Sequence, residues 1–419
     1  MPPCSVVSKT RKAGGLIIGK SNMDEFGMGS GSIDSIFGPV KSLWRCGTVK
    51  YELDEIPFFN DEKFQPDTSG IGPGDFCIAG GSSGGSVVSV SSGLAFAALG
   101  SDTGGSLRIP GAWSGIPTLK PSYGLLSRHG LIPLVNSLDV PGIFAKSVTD
   151  IAAYLNILKG VDPLDSTTTD ICEELSDNDE KNVKKLTIGI PQEYFCEGMS
   201  EEVIEMWSQV TDYLENEGFK VVAVSLPHTK YSITCYQVLN PCEVASNMSR
   251  YDGIEYGFRT SETASTEALF ASVRREGFND VVKGRILAGN YFLLREHYDE
   301  YFEQALKVRR FISRDFDNVF HEQKVDLLLT PVTLSDAPSY STFSSSDNRT
   351  QTAKYDYCTQ PVNLAGIPAA AVPVKLSKRS LPLSLQIIGA YGHDFKVLNF
   401  CQWLENRVHF PQPRVSSYE

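Results

Sequence analysis

The chain has 419 residues, 41% of them hydrophobic and 10% aromatic, enough for a sizeable folded core. A formal net charge of −12 argues against a broad basic surface for nucleic acid, and no run of about 20 apolar residues marks a membrane span. Nine scattered cysteines without a C-x-x-C pair fit free thiols in a reducing compartment and offer no structural zinc site.

In chain order, residues 5–12 read as the tail of a helix, and Leu16-Ile17-Ile18-Gly19 as a short apolar strand. Ser30 to Ile36 is a Gly/Ser loop. Residues 44–75 turn polar and acidic, with Pro57, Pro66 and Pro73, and read as a surface loop. The stretch from Phe76 to Pro110 is different. It carries two clusters, Gly80-Gly81-Ser82-Ser83-Gly84-Gly85-Ser86 and Gly100-Ser101-Asp102-Thr103-Gly104-Gly105-Ser106, separated by an apolar segment of helical length, Val87 to Leu99. A loop, a buried helix and a second loop would bring both clusters to one place.

Glycine lets backbone N–H groups turn toward a ligand with no Cβ in the way. Several such groups aimed at one point suit an oxyanion, and a serine among them is a candidate nucleophile. A flexible linker fits poorly, because the intervening segment is apolar. A phosphate loop lacks its G-x-x-x-x-G-K-[ST] pattern. None of the six histidines sits in a triad motif, and no G-x-S-x-G elbow occurs. The helper of an attacking Ser106 is therefore expected to be a buried lysine of lowered pKa rather than a histidine.

Further along, Gly111 to Pro121 and Tyr123 to Leu126 suggest strand and turn, and Val148 to Leu158 an amphipathic helix. Residues 162–185 are acidic and read as a solvated loop. Leu186 to Ile190 is a strand closed by Pro191. Ser200 caps a helix with Glu201 and Glu202 in its first turn and one apolar face (Val203, Met206, Trp207, Val210, Tyr213, Leu214). Phe219 to Leu226 is the next strand, and this order argues for an α/β sheet. Ser232 to Tyr301 is mostly helical. Tyr301 to Phe316 is a basic helix whose charges (Lys307, Arg309, Arg310, Arg314) read as a solvated face. Val325 to Leu329, Ile367 to Val374 and Leu383 to Ile388 are strands, followed by a helix from Lys396 to Asn406.

The run GGSSGGS followed by GSDTGGSLRIPG resembles the amidase signature family. Gly19-Lys20-Ser21-Asn22-Met23-Asp24-Glu25-Phe26, Leu119-Lys120-Pro121-Ser122-Tyr123-Gly124, Ser137-Leu138-Asp139, Arg274-Arg275-Glu276-Gly277-Phe278 and Pro361-Val362-Asn363-Leu364-Ala365-Gly366 extend the likeness toward the amidase subunits of tRNA-dependent amidotransferases of animal mitochondria. It covers nearly the whole chain.

The resemblance implies a single α/β/α domain over residues 1–419, with a mixed central sheet flanked by helices. It implies a Ser–cis-Ser–Lys triad in which Ser106 is the acyl-forming nucleophile and Ser82, preceded by a cis peptide, relays the proton. Thr103, Gly104 and Gly105 would form the oxyanion hole. Tyr236, Arg285 and Asp356 would hold the amino-acid end of glutamine, Asp356 taking the ammonium and Arg285 the carboxylate. Ammonia so released would convert Glu-tRNA(Gln) to Gln-tRNA(Gln) in the mitochondrial matrix. The implied partners are amidotransferase subunits B and C in a heterotrimer, with no membrane contact. No metal or cofactor is expected on this chain, since ATP and Mg would be used elsewhere in the complex.

The family's lysine lies in a Lys-Asp-Asn segment upstream of the Gly-Lys-x-Asn motif, and none precedes Gly19 here. The expectation is an N-terminally truncated chain, short of its first strands and any targeting segment, poorly soluble alone because a sheet edge is bare. Two alternatives stay open: a non-catalytic scaffold in the same complex, or another amide hydrolase of the same family.

Overall fold

The computed structural model describes residues 4–44, 51–52, 58–60, 71–72, 74–170, 180–262, 264–412 and 414–415. Among them are ten strands: β1 (Tyr51–Glu52), β2 (Ala97–Asp102), β3 (Thr118–Lys120), β4 (Val140–Ala145), β5 (Thr187–Pro191), β6 (Lys220–Val224), β7 (Leu327–Pro331), β8 (Ala369–Leu376), β9 (Pro382–Gly389) and β10 (Arg414–Val415). Eight of them form one sheet in the order β2-β4-β3-β8-β9-β7-β5-β6, while β1 pairs with β10 apart from it. β5 runs parallel to β6 and β7, and the other pairs in the large sheet are antiparallel.

The central strands are wrapped on both sides. β4, β7 and β9 are buried along their whole length, as expected of strands covered on both faces. Side chains alternate between faces along a strand. On β8, Ala371 packs with Ala112 of the helix Arg108–Ser114, while Ala370 and Val372 join the main core with Val397 and Leu398 of the helix Asp394–Val408. The short helix on the first of these faces carries the active-site turn at its N-terminal end.

Most predicted elements form where the apolar pattern placed them. The helix Val148–Leu158 has the predicted bounds. In the helix Glu201–Asn216 the Ser200 hydroxyl accepts from the Val203 N–H, and Val203, Met206, Trp207, Val210 and Leu214 are buried. β5 and β6 are the predicted pair and run parallel. Ser5–Lys12 is helical, as are Ser232–Met248, Thr266–Gly277, Asp280–Phe292 and Gln304–Asp317.

Several expectations are corrected. Residues 16–19 are not a strand: they are extended and exposed, with Leu16 at 86%. No strand among the described residues pairs with them, so the run has no ladder to join. Val87 to Leu99 is not one helix. The helix covers Gly84–Ser91, and from Ala97 the chain pairs with β4 as the edge strand β2. The segment 111–121 starts inside the helix Arg108–Ser114, and only Thr118–Lys120 is strand. β4 had no reading at all, because Pro141 and Gly142 hide a strand that is fully buried.

The start of the acidic stretch 162–185 is no solvated loop: Asp162 accepts from the Ser127 hydroxyl at 2.6 Å and Asp165 from the Arg128 N–H at 2.7 Å. Its residues 171–179, and most of the predicted loop 44–75, lie outside the described residues. On the basic helix, Arg309 is no solvated charge either. It donates to Leu364 O at 2.9 Å, Ser137 Oγ at 2.9 Å and Ser137 O at 3.0 Å, tying that helix to the loop before β4.

Candidate active site

The two glycine-serine clusters meet. The Ser83 N–H donates to Ser106 O at 3.2 Å, and Ser83 Oγ donates to Ser101 O at 3.2 Å. The peptide between Gly81 and Ser82 is cis. Ser82 is braced from the Gly/Ser loop after Asp24: Ser32 Oγ donates to Ser82 O at 3.0 Å and accepts from Gly84 N at 2.9 Å. Asp24 holds that loop by accepting from Ser32 N at 2.8 Å and Asp34 N at 3.0 Å. Burial pushes the Asp24 carboxyl up to about 7, against the pull of these N–H groups. Ser82 is 1% exposed, and its Oγ has no hydrogen-bond partner among the described residues. Buried hydroxyls are ordinarily paired, so this oxygen is free to exchange a proton with a reacting group.

The second cluster leaves β2 and turns into the helix Arg108–Ser114. Gly105 has φ +147°, and a Cβ there would lie 2.4 Å from Thr359 Oγ1. Gly104 faces the Tyr236 ring, where a Cβ would meet Cζ and Oη at 3.0 Å. Thr359 Oγ1 donates to Gly104 O at 2.6 Å and so fixes the orientation of that carbonyl. Thr103 Oγ1 donates to Asp139 Oδ1 at 2.7 Å, and Asp139 Oδ2 accepts from Leu134 N at 2.8 Å and Val135 N at 2.9 Å. Burial pushes the Asp139 carboxyl up to about 6.

Beneath the turn lies a buried ion pair. Arg108 and Asp102 are both 0% exposed, with Nη2 2.9 Å from Oδ1 and Nε 3.1 Å from Oδ2. Arg108 also donates to Thr359 O at 3.0 Å, to Gln386 Oε1 at 2.6 Å and to Asn363 Oδ1. Asn363 Nδ2 closes the ring on Asp102 O at 3.1 Å and Oδ1 at 2.9 Å. Burial alone would raise the Asp102 carboxyl, but the Arg108 charge and hydrogen bonds overcome it and hold it below the usual range. Lys120, also fully buried, is lowered to about 7 by burial and by the Arg108 charge; its ammonium donates to Pro121 O at 3.0 Å.

Tyr236, Arg285 and Asp356 come from three separate elements to one region. Tyr236 and Arg285 are linked through Asn240, whose Nδ2 donates to Tyr236 Oη at 2.9 Å and whose Oδ1 accepts from Arg285 Nη1 at 3.1 Å. Arg285 Nη2 donates to Asn348 Oδ1 at 3.1 Å. Asp356 accepts from Ser30 Oγ at 2.7 Å; burial raises its carboxyl to about 7, with Ser30, Gln360 and the Arg285 charge opposing. Burial keeps Tyr236 a neutral phenol, its pKa well above the ordinary value.

Asp24, Asp102, Arg108, Asp139, Asn240, Asn348 and Thr359 were not singled out as site residues from sequence. Asp24, Arg108 and Asp139 do lie inside the motifs that carried the resemblance. Asn240, Asn348 and Thr359 lie in no quoted motif.

A serine on a glycine-rich turn, a second serine with a free buried oxygen, and no histidine hydrogen-bonded to either among the described residues define a serine amide hydrolase of the amidase type. A protein-family model described as Amidase matches residues 75–398, and the chain belongs to that family. It is 54% identical over 408 residues to the A subunit of the mitochondrial glutamyl-tRNA(Gln) amidotransferase of Anopheles gambiae, covering 97% of this chain and 78% of that protein. The Homo sapiens protein of the same name is 51% identical over 415 residues, covering 98% and 77%. The crystal structure of the corresponding glutamyl-tRNA(Gln) amidotransferase polypeptide from Thermotoga maritima superposes with a TM-score of 0.76 at 34% identity, covering 99% of this chain and 80% of that one.

Proposed function

We propose that this chain is the glutamine-hydrolysing component of a mitochondrial glutamyl-tRNA(Gln) amidotransferase. The observation that carries the reading is the juxtaposition at 3.2 Å of the Ser82-Ser83 turn with the Ser106 turn, which places a nucleophile beside a buried, unpartnered hydroxyl. Ser106 Oγ attacks the side-chain carbonyl carbon of glutamine and gives its proton toward Ser82 Oγ. The carbonyl oxygen becomes an oxyanion, held by backbone N–H groups of Thr103, Gly104 and Gly105. Collapse breaks the C–N bond, a proton returned through Ser82 goes to the leaving nitrogen, and ammonia departs. Water then attacks the glutamyl ester, regenerating Ser106 and releasing glutamate.

Arg285 and Tyr236 hold the α-carboxylate and Asp356 the α-ammonium, the latter in its ionised form. The raised carboxyl of free Asp356 returns toward the anionic state when a cation sits beside it. The ammonia serves the conversion of Glu-tRNA(Gln) to Gln-tRNA(Gln) with subunits B and C in the matrix. ATP and magnesium act on those partners, and this chain carries no cofactor of its own. The relatives' names and the 78% of their length that this chain spans support that assignment.

Glutamate release from glutamine by the assembled amidotransferase, with and without S106A, tests the reading. Loss of glutamate release with intact assembly is expected. Undiminished release in S106A would overturn it.

A further inference from the structure

Asn240 is 1% exposed and stands between two residues that face the substrate. Its amide orientation follows from chemistry. Arg285 has only donors, so the atom it reaches at 3.1 Å must be Oδ1. The other atom is then the NH2 group, which donates to Tyr236 Oη at 2.9 Å. Tyr236 Oη therefore spends a lone pair on Asn240 and keeps its own hydrogen for another acceptor. Arg285 has one Nη tied to Asn240 and the other tied to Asn348, which itself donates to Met28 O at 3.2 Å. The guanidinium is thus pinned by two neutral oxygens that leave its positive charge uncancelled.

We propose that Asn240 is the positioning residue that makes this site select a carboxylate: it turns the Tyr236 hydroxyl into an obligate donor and orients Arg285 without neutralising it. An aspartate at the same place would have nearly the same shape and the opposite effect. It has no hydrogen to give in its ionised form, so Tyr236 would donate to it and turn its proton away from the ligand. Its charge would also pair with Arg285. The inference rests on the glutaminase reading and adds the origin of its selectivity for the α-carboxylate.

The test is a calorimetric titration of the full chain with L-glutamine and with L-glutaminamide, whose α-carboxylate is replaced by a neutral amide. The parent chain should prefer glutamine. N240D should weaken glutamine on the order of tenfold to a hundredfold, the range for losing hydrogen bonds to a charged group, and leave glutaminamide binding as in the parent. Y236F should lose glutamine selectively too, and adding it to N240D should cost less than it does alone. Retained glutaminamide binding shows that N240D is folded. Equal losses for both ligands, or an N240D chain with the parent's preference, would overturn the role of Asn240 while leaving the glutaminase reading in place. A parent chain that binds neither ligand would overturn both.

Discussion

Replacing Arg108 by methionine removes a charge from the buried network under the active-site turn. Asp102, at 0% exposure, then keeps its carboxylate with Asn363 and the Leu107 and Arg108 N–H groups as donors but no counterion. Breaking a buried pair from one side costs about 3–5 kcal/mol. With an unfolding entropy of about 2.1 cal/mol/K per residue over 419 residues, that is a drop in Tm of about 4–6 °C. The loss should depend on pH. In the parent, burial pushes Asp102 up, but Arg108 outweighs it and the carboxyl sits below its ordinary value. In R108M, burial without a partner would raise it, so that protonation relieves the folded state. The gap in Tm between parent and variant should therefore narrow from pH 7.5 to pH 5, and D102N/R108M should melt above R108M at pH 7.5. Differential scanning calorimetry measures all three. An R108M chain that melts with the parent, or a gap that widens on acidification, would refute the reasoning.

The raised carboxyls make a prediction for the whole chain. Asp24, Asp356 and Glu405 stand at about 7 and Asp139 at about 6. A carboxyl whose folded pKa exceeds its unfolded value contributes stability that is complete below the unfolded value and lost as pH rises through the folded one. Tm should thus fall between about pH 4.5 and pH 7.5, and D24N should flatten that slope; a Tm that rises over this range contradicts it. T359V deletes the 2.6 Å bond to Gly104 O and should cost about 1 kcal/mol of stability while lowering kcat for glutamate release more than it raises KM. G104A places a methyl 3.0 Å from the Tyr236 Cζ and Oη; overpacking of about 1–3 kcal/mol should weaken glutamine binding in calorimetry, and unchanged affinity would show that the contact is slack.

The parts of this fold that were readable from sequence are those where one side of an element is apolar and its ends are marked. The helix Glu201–Asn216 has a serine cap and a five-residue buried face, and β5 ends on a proline. What failed has a physical cause in each case. β2 is an edge strand, and only Asp102 is fully buried along it, so its Ala-Ala-Leu run carries no alternation and reads as more helix. β4 contains Pro141 and Gly142, residues that ordinarily interrupt strands. Leu16 to Gly19 has the composition of a strand but no neighbour among the described residues.

For the site, glycine and serine clustering points to the turn that bears Ser106, and the family likeness names Ser82, Tyr236, Arg285 and Asp356. The groups that orient them were out of reach. Asn240 lies four residues after Tyr236, one helical turn on, and its bond to Tyr236 is visible in the spacing only once the helix is known. Its bond to Arg285 joins two helices, and Thr359 meets Gly104 across 255 positions of sequence.

The central claim is that Ser106 forms the covalent intermediate. Intact-mass and peptide mass spectrometry after incubation with an electrophilic glutamine analogue tests it most directly. One adduct per chain on the peptide bearing Ser106, absent in S106A and suppressed by excess glutamine, is the predicted result. An adduct that persists in S106A, or that maps to another residue and is still competed by glutamine, would contradict it.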